Sequence, residues 1–141
     1  MPGPDFLDTN ILVYAYDTRD RRKQRIAQEI LRNAVTRTSE AVISSQVLGE
    51  FASTLLYRVS PRVRPVRLLA VLDALSPIPL VNLDEGTVRR AVEACAAYGI
   101  HFYDGMIVAA AESAGCARIW SEDLNLGQQY FGVSVENPFR H

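Results

Sequence analysis

Lysine is almost missing from this chain. Of 141 residues only Lys23 is one, so nearly all the positive charge is carried by arginine, whose planar fork suits paired contacts to phosphate oxygens. Histidine is also scarce. With only His101 and the terminal His141, there is no histidine pair to share acid–base work. The two cysteines, Cys95 and Cys116, lie among alanines and other small residues, which reads as buried small side chains in a reducing compartment rather than as a disulfide or metal pair. The opening MPGPDF lacks the basic flank and apolar core of a signal peptide, and no apolar run is long enough to span a bilayer. The expectation is a cytoplasmic protein with no membrane partner. Charge of one sign is missing as well, since 15 Lys and Arg face 16 Asp and Glu, so the total does not advertise a nucleic-acid binder. Repeats and low-complexity tracts are absent. What is present is 48% hydrophobic residues in a chain of 141, long enough for one domain spanning residues 1–141 with a real core and too short for two ordinary ones.

Short β-like runs alternate with longer helical patterns, the signature of βαβ units and an α/β fold with a parallel sheet. Five strands are expected, over 5–7, 41–44, 78–81, 117–121 and 133–136. Between the first two, residues 20–34 carry Ile26, Ala27, Ile30 and Leu31 at the spacing of one helical face, and Arg19, Arg21, Arg22, Lys23 and Arg25 make the other face basic. Ser44 or Ser45 suits the cap of a helix whose stripe is Val47, Leu48, Phe51, Leu55 and Leu56. Pro61 and Pro65 break it, and 66–75 resumes as a short helix before Pro77. That pair is expected to project as a hairpin bearing Arg58, Arg62, Arg64 and Arg67. Further helices are expected over 84–98, stopped by Gly99, and over 104–114, stopped by Gly115, the latter apolar or small on nearly every side and therefore central.

Four acids sit where strands give way to turns or where helices begin: Asp8, Glu50, Asp104 and Asp123. Singly, each Asp has a structural explanation as a helix cap, with Asp8 before the first helix, Asp104 before the last long one and Asp123 before a helix over 124–130. Glu50 resists that account, because it lies within an amphipathic helix beside Phe51, where a carboxylate near apolar surface needs a partner or a cation. Jointly, all four map to the carboxyl ends of parallel strands, the usual ligand crevice of open α/β sheets. Carboxylates converging there suit a hard divalent cation such as Mg²⁺, and Asn10, Ser121 and Asn125 offer neutral oxygens around it. Binding of such a cation cancels part of the acidic charge and leaves the remaining surface mildly basic.

The phrases LDTNILVYA, QVLGEF, YDGMIVAAA, SEDLNLGQ and VENPF, in this order and spacing, resemble the PIN-domain ribonucleases, in particular the VapC-type toxins of bacterial and archaeal toxin–antitoxin pairs. The resemblance runs from end to end. It implies a PIN-like sheet of about five parallel strands flanked by helices, and metal ligation and catalysis by Asp8, Glu50, Asp104 and Asp123. It also implies Mg²⁺, with Mn²⁺ able to substitute, an RNA substrate, a cognate antitoxin partner and a homodimer. Many relatives carry a second acid soon after the last motif, whereas here Asn125 and Leu126 follow Asp123.

Lacking a histidine pair or a positioned lysine, such a site must rely on metal ions for in-line hydrolysis, leaving a 5′-phosphate and a 3′-hydroxyl. His101 reads as structural. Arg19, Arg21, Arg22, Arg62, Arg64 and Arg67 are candidate RNA contacts, against the simpler reading of a solvated basic face. Two alternatives remain in view. A phosphoaspartyl phosphatase would place acids similarly but would want an acid where Asn10 stands and a lysine near the phosphate. A catalytically silent PIN-like module would bind RNA or protein without cleaving.

Overall fold

The computed structural model describes residues 3–125 and 127–140. In chain order its elements are β1 (Asp5–Leu7), α1 (Thr9–Tyr16), α2 (Arg21–Val35), β2 (Ala41–Ser44), α3 (Ser45–Tyr57), α4 (Pro65–Leu75), β3 (Leu80–Val81), α5 (Glu85–Tyr98), α6 (Phe102–Ser113), β4 (Arg118–Trp120), β5 (Gln129–Tyr130) and β6 (Val133–Glu136). The strands form one sheet in the order β3-β2-β1-β4-β6-β5. Five run parallel, and β5 pairs antiparallel with β6. The register aligns Phe6 with Val42, Ile119 and Val135, all buried, so one face of the sheet is a continuous apolar layer.

From β1 the chain builds outward through β2 and β3, then returns to lay β4 on the opposite side of β1. The point where the direction reverses is between β1 and β4. There the Asp8 amide donates to the Trp120 carbonyl at 3.0 Å, closing the seam from which Asp8 and Ser121 emerge.

Helix α6 runs across the sheet, packing on β2, β4 and β6 as well as on α5. Its residues Ile107 to Ala111 are all buried, as the small and apolar run YDGMIVAAA requires. The close approach of α5 depends on Gly105, because a Cβ there would lie 2.7 Å from the Ala91 carbonyl oxygen. Gly105→Ala is expected to cost about 1–3 kcal/mol, by overpacking against backbone that cannot step aside. It should also move the neighbouring Asp104. Chemical denaturation checks the cost, and unchanged stability would mean that α5 and α6 slide apart freely.

Several elements differ from expectation, each for a local reason. The stripe that α2 buries is Gln24, Ala27, Leu31 and Ala34. Ile26 and Ile30 are only half-buried, and Gln24 is inside because its amide donates to the Ala15 carbonyl at the end of α1, as does Gln28. Helix α6 begins two residues before Asp104, capped by His101, whose Nδ1 accepts the Tyr103 amide at 3.2 Å. Asp104 is therefore inside the first turn rather than the cap. The stretch expected as a helix over 124–130 is an irregular loop leading into β5 among its described residues; Gly127 and Gly132 have positive φ, and a two-residue strand formed by Gln129 and Tyr130 was not legible. The helical pair α3–α4 is present, but Leu68, Val71 and Leu75 of α4 are buried in the common core, so its packing does not mark it as a projection. Among the described residues no helix is long and apolar enough to cross a membrane.

Candidate metal and RNA site

Asp8 stands at the N-cap of α1, with backbone in the extended region, and its Oδ1 accepts the Thr9 amide at 2.7 Å. It is both a cap and something more. The side chain is 6% exposed, and its Oδ2 accepts the Ser121 hydroxyl at 2.7 Å. Burial pushes its pKa up to about 6; the Ser121 and Thr9 bonds lower it, while the charges of Asp123 and Glu50 raise it again. Asp104 is likewise raised, first by burial and then by Asp123, with His101 acting the other way. Asp8 thus feels Asp123 and Glu50, and Asp104 feels Asp123, so the four acids share one electrostatic neighbourhood.

Ser121 is wholly buried. Besides donating to Asp8, its Oγ accepts the amides of Asp123 and Leu124 at 3.1 and 3.3 Å, which fixes the turn after β4. Asn10 spans the other side. Its Nδ2 donates to Asp123 Oδ2 at 3.1 Å and its Oδ1 accepts the Glu122 amide at 3.3 Å. Asn125 is exposed and shares no hydrogen bond with the acids among the described residues; its carbonyl accepts the Gln128 amide.

Glu50 is exposed, so the expectation of a carboxylate pressed against apolar surface is corrected: α3 turns Phe51 inward and Glu50 outward. Its Oε1 accepts from Gln46 Nε2 at 3.0 Å and from Thr9 Oγ1 at 3.4 Å. Gln46 was not singled out from sequence, although its place four residues before Glu50 on a helix was the available signal. The same Gln46 amide reaches the Tyr103 carbonyl at 3.1 Å, tying α3 to the turn that carries Asp104. The Gln46 Oε1 is buried without a partner among the described residues, a position that calls for a donor such as water.

Beside these acids opens a cleft of about 520 Å³ whose walls include Asn10, Glu50, Thr54, Arg58, Glu122 and Asp123. The basic residues near it are partly committed. Arg19 forks onto Asp17 at 2.7 Å, Arg22 donates to the Phe139 carbonyl and Arg21 reaches Gln24 at 3.4 Å. Arg62, Arg64 and Arg67 are exposed and border a second hollow of about 460 Å³ that also touches Asp17. Lys23 pairs with Glu122.

A family model described as the PIN domain matches residues 6–131. The chain belongs to the PIN domain family. No curated protein matches it significantly. Among solved structures, this PIN domain is similar to a toxin–antitoxin complex from Klebsiella pneumoniae, at 20% identity over 95% of this chain and 97% of that one with a TM-score of 0.68. It is similar to DNA-bound VapBC from Salmonella typhimurium, at 22% identity over 96% and 98% with a TM-score of 0.65. VapC20 of Mycobacterium tuberculosis, described as a sarcin–ricin-loop-cleaving toxin, matches at 18% identity over 84% and 91% with a TM-score of 0.64. At these identities the likeness is one of fold.

For a divalent cation the donor set of this PIN domain fits in kind. Asp8, Glu50 and Asp123 receive their side-chain hydrogen bonds from neutral groups, namely Ser121, Gln46, Thr9 and Asn10. The nearby cations Arg19 and Lys23 pair with Asp17 and Glu122. Arg58 shares the cleft wall with Glu50 and Asp123, and the acids offer the oxygen ligands that Mg²⁺ and Mn²⁺ prefer. Among the described residues no three acidic, histidine or cysteine side chains form a ready-made cage.

Proposed function

We propose that this PIN domain is a Mg²⁺- or Mn²⁺-dependent endoribonuclease and the toxin of a toxin–antitoxin pair. The observation that carries the proposal is the placing of Asp8, a buried carboxylate raised to about 6 by burial and by Asp123 and Glu50, at the reversal point of a parallel sheet. Asp8, Asp104 and Asp123 are the proposed principal ligands, with Glu50 completing the acidic set. When bound, the cation supplies a water of lowered pKa and neutralises charge on the phosphate. The chain's own contribution is positional. Ser121 holds Asp8, Asn10 holds Asp123, Gln46 holds Glu50, and Arg58 on the cleft wall offers a guanidinium to an RNA phosphate. His101, used as a cap, has no part in proton transfer, and Lys23, engaged by Glu122, does not fill the lysine role a phosphoaspartyl enzyme needs.

The deciding experiment is cleavage of structured and unstructured RNA with Mg²⁺ or Mn²⁺ and with chelator. Metal-dependent cuts leaving 5′-phosphate and 3′-hydroxyl ends are expected. Binding of RNA without cleavage under every metal condition would favour the catalytically silent module instead.

The toxin role is supported by two hollows between the first two helices and the α3–α4 pair. One is lined by Tyr16, Val59, Val63 and Val71 with Arg62, Arg64 and Arg67, the other by Ala15, Leu31, Val35 and Leu75. Together they suit an amphipathic antitoxin segment whose tail reaches the acids with an arginine. Growth should fail when the protein is expressed alone and recover when the antitoxin is supplied. A homodimer is expected, checked by light scattering.

RNA contact by the exposed arginines makes a separate prediction. The triple Arg62, Arg64, Arg67 to Ala protein should bind RNA more weakly and with a salt dependence shallower by about 2–3 in slope. An unchanged slope, measured by fluorescence anisotropy across salt concentrations, would leave these residues to the antitoxin groove alone.

A further inference from the structure

Asp123 is exposed and lies on the irregular loop between β4 and β5, which makes it the least constrained of the four acids by backbone alone. Its side chain is held by Asn10, and Ser121 pins the inner side of the turn. The outer side is held by Glu122, whose carboxylate is turned to the first two helices. One oxygen accepts the Tyr14 hydroxyl at 2.6 Å and the other pairs with Lys23. The Lys23 ammonium is also 3.3 Å from the Tyr14 hydroxyl. It lies 4.8 Å from the centre of the Tyr14 ring and 5.7 Å from that of Phe139, and those rings meet edge to face at 4.9 Å. The chain's single lysine thus joins α1, α2, the C-terminal segment and the loop bearing Asp123.

We propose that Lys23, Tyr14 and Glu122 form a clamp that positions Asp123 for the cation, acting through the loop and through Asn10, which takes the Glu122 amide and gives its own amide to Asp123. This rests on the metal-nuclease reading. An ordinary surface ion pair would contribute little, since solvent and side-chain entropy offset it. Here both partners are about three-quarters buried, at 25% and 26% side-chain exposure, and a phenol and two aromatic faces fix their geometry. The clamp has a second effect. Engaging Glu122 keeps a fifth carboxylate from competing with Asp123 for the same ion.

The test is Mn²⁺ binding followed by the electron paramagnetic resonance of the free ion, alongside metal dependence of RNA cleavage. Lys23→Met and Tyr14→Phe are expected to raise the Mn²⁺ dissociation constant by about tenfold or more, the usual effect of losing an outer support of a metal ligand. At saturating Mn²⁺ their cleavage rate should return close to that of the unaltered protein. The double Lys23→Met, Glu122→Gln protein should bind no more weakly than Lys23→Met, because one coupling is lost in both. Arg90→Met removes a pair of comparable burial, Arg90 with Glu112 at 2.7 Å and 34% and 33% exposure, which joins α5 to α6 and lines a different hollow. It should destabilise the fold without changing Mn²⁺ affinity. Equal Mn²⁺ affinity in Lys23→Met and the unaltered protein would overturn the clamp alone. Failure of the unaltered protein to bind Mn²⁺ would overturn the metal-nuclease reading, and the clamp's role with it.

Discussion

Asp8→Asn is expected to reduce RNA cleavage by at least about a hundredfold, because loss of a direct ligand should cost no less than loss of its outer supports, while the folded protein becomes more stable without metal. Capping and ligation make opposite demands on this substitution. Asparagine caps a helix about as well as aspartate, so the α1 terminus should survive. The stability gain comes from burial: raising the Asp8 carboxyl from 3.8 to about 6 costs the ionised folded state about 3 kcal/mol at neutral pH. The sign follows from proton counting. Between about pH 4 and 6 the folded protein keeps a proton that the unfolded chain has already released, so stability falls as pH rises through that window and levels off above it. Asp104, raised in the same direction, adds to the fall. Asp8→Asn should flatten most of it, whereas added Mn²⁺ should stabilise the unaltered protein increasingly towards neutral pH and the variant little. Thermal and denaturant unfolding across pH, beside cleavage assays, check all three. Cleavage at the full rate in Asp8→Asn would sink the proposed chemistry.

Ser121→Ala should produce the second large effect, and it separates support of the acid from support of the loop. The hydroxyl gives one hydrogen bond to buried Asp8 and receives two from the amides of Asp123 and Leu124. Its removal leaves these groups short of partners at a fully buried position, at a cost of about 2–3 kcal/mol. Because the Ser121 bond lowers the Asp8 pKa, losing it should extend the upper edge of the pH window of falling stability, whose lower edge is set by the unfolded chain. Cleavage should drop by about ten- to a hundredfold. A protein destabilised by that amount but cleaving at the unaltered rate would show that Ser121 only holds the turn. In an Asp8→Asn background the stability cost should shrink, since the buried charge that Ser121 supports is gone.

The surroundings of Asp8 and Asp104 were legible because they are set by short local phrases. Asp8 and Asp104 adjoin the apolar residues of LDTNIL and YDGMIVAAA, and the small and apolar residues on nearly every side of the latter mark it as a central helix. Reading failed where the contact partner is distant in sequence. Nothing in a single-residue lysine count says that Lys23 meets Glu122, 99 positions on, and Gln46 gains its importance only when α6 brings the Tyr103 carbonyl to it. Glu50, beside Phe51, reads as a carboxylate near apolar surface, but it is exposed on the outer side of α3. The loop after Asp123 was misread because Asp followed by Leu resembles a helix start, whereas the pairing of β5 with β6 overrides so weak a local preference.

By itself, then, the sequence determined the alternation of strands and helices, the burial of α6 and the place of Asp8 at the junction of β1 and α1, because hydrophobic pattern and capping chemistry act over a few residues. Tertiary structure alone decided the reversal of the sheet between β1 and β4, the burial that raises Asp8, and the commitment of Lys23 to Glu122. Those properties depend on which distant groups share a small volume. Desolvation and charge pairing are set by that volume and not by neighbours along the chain.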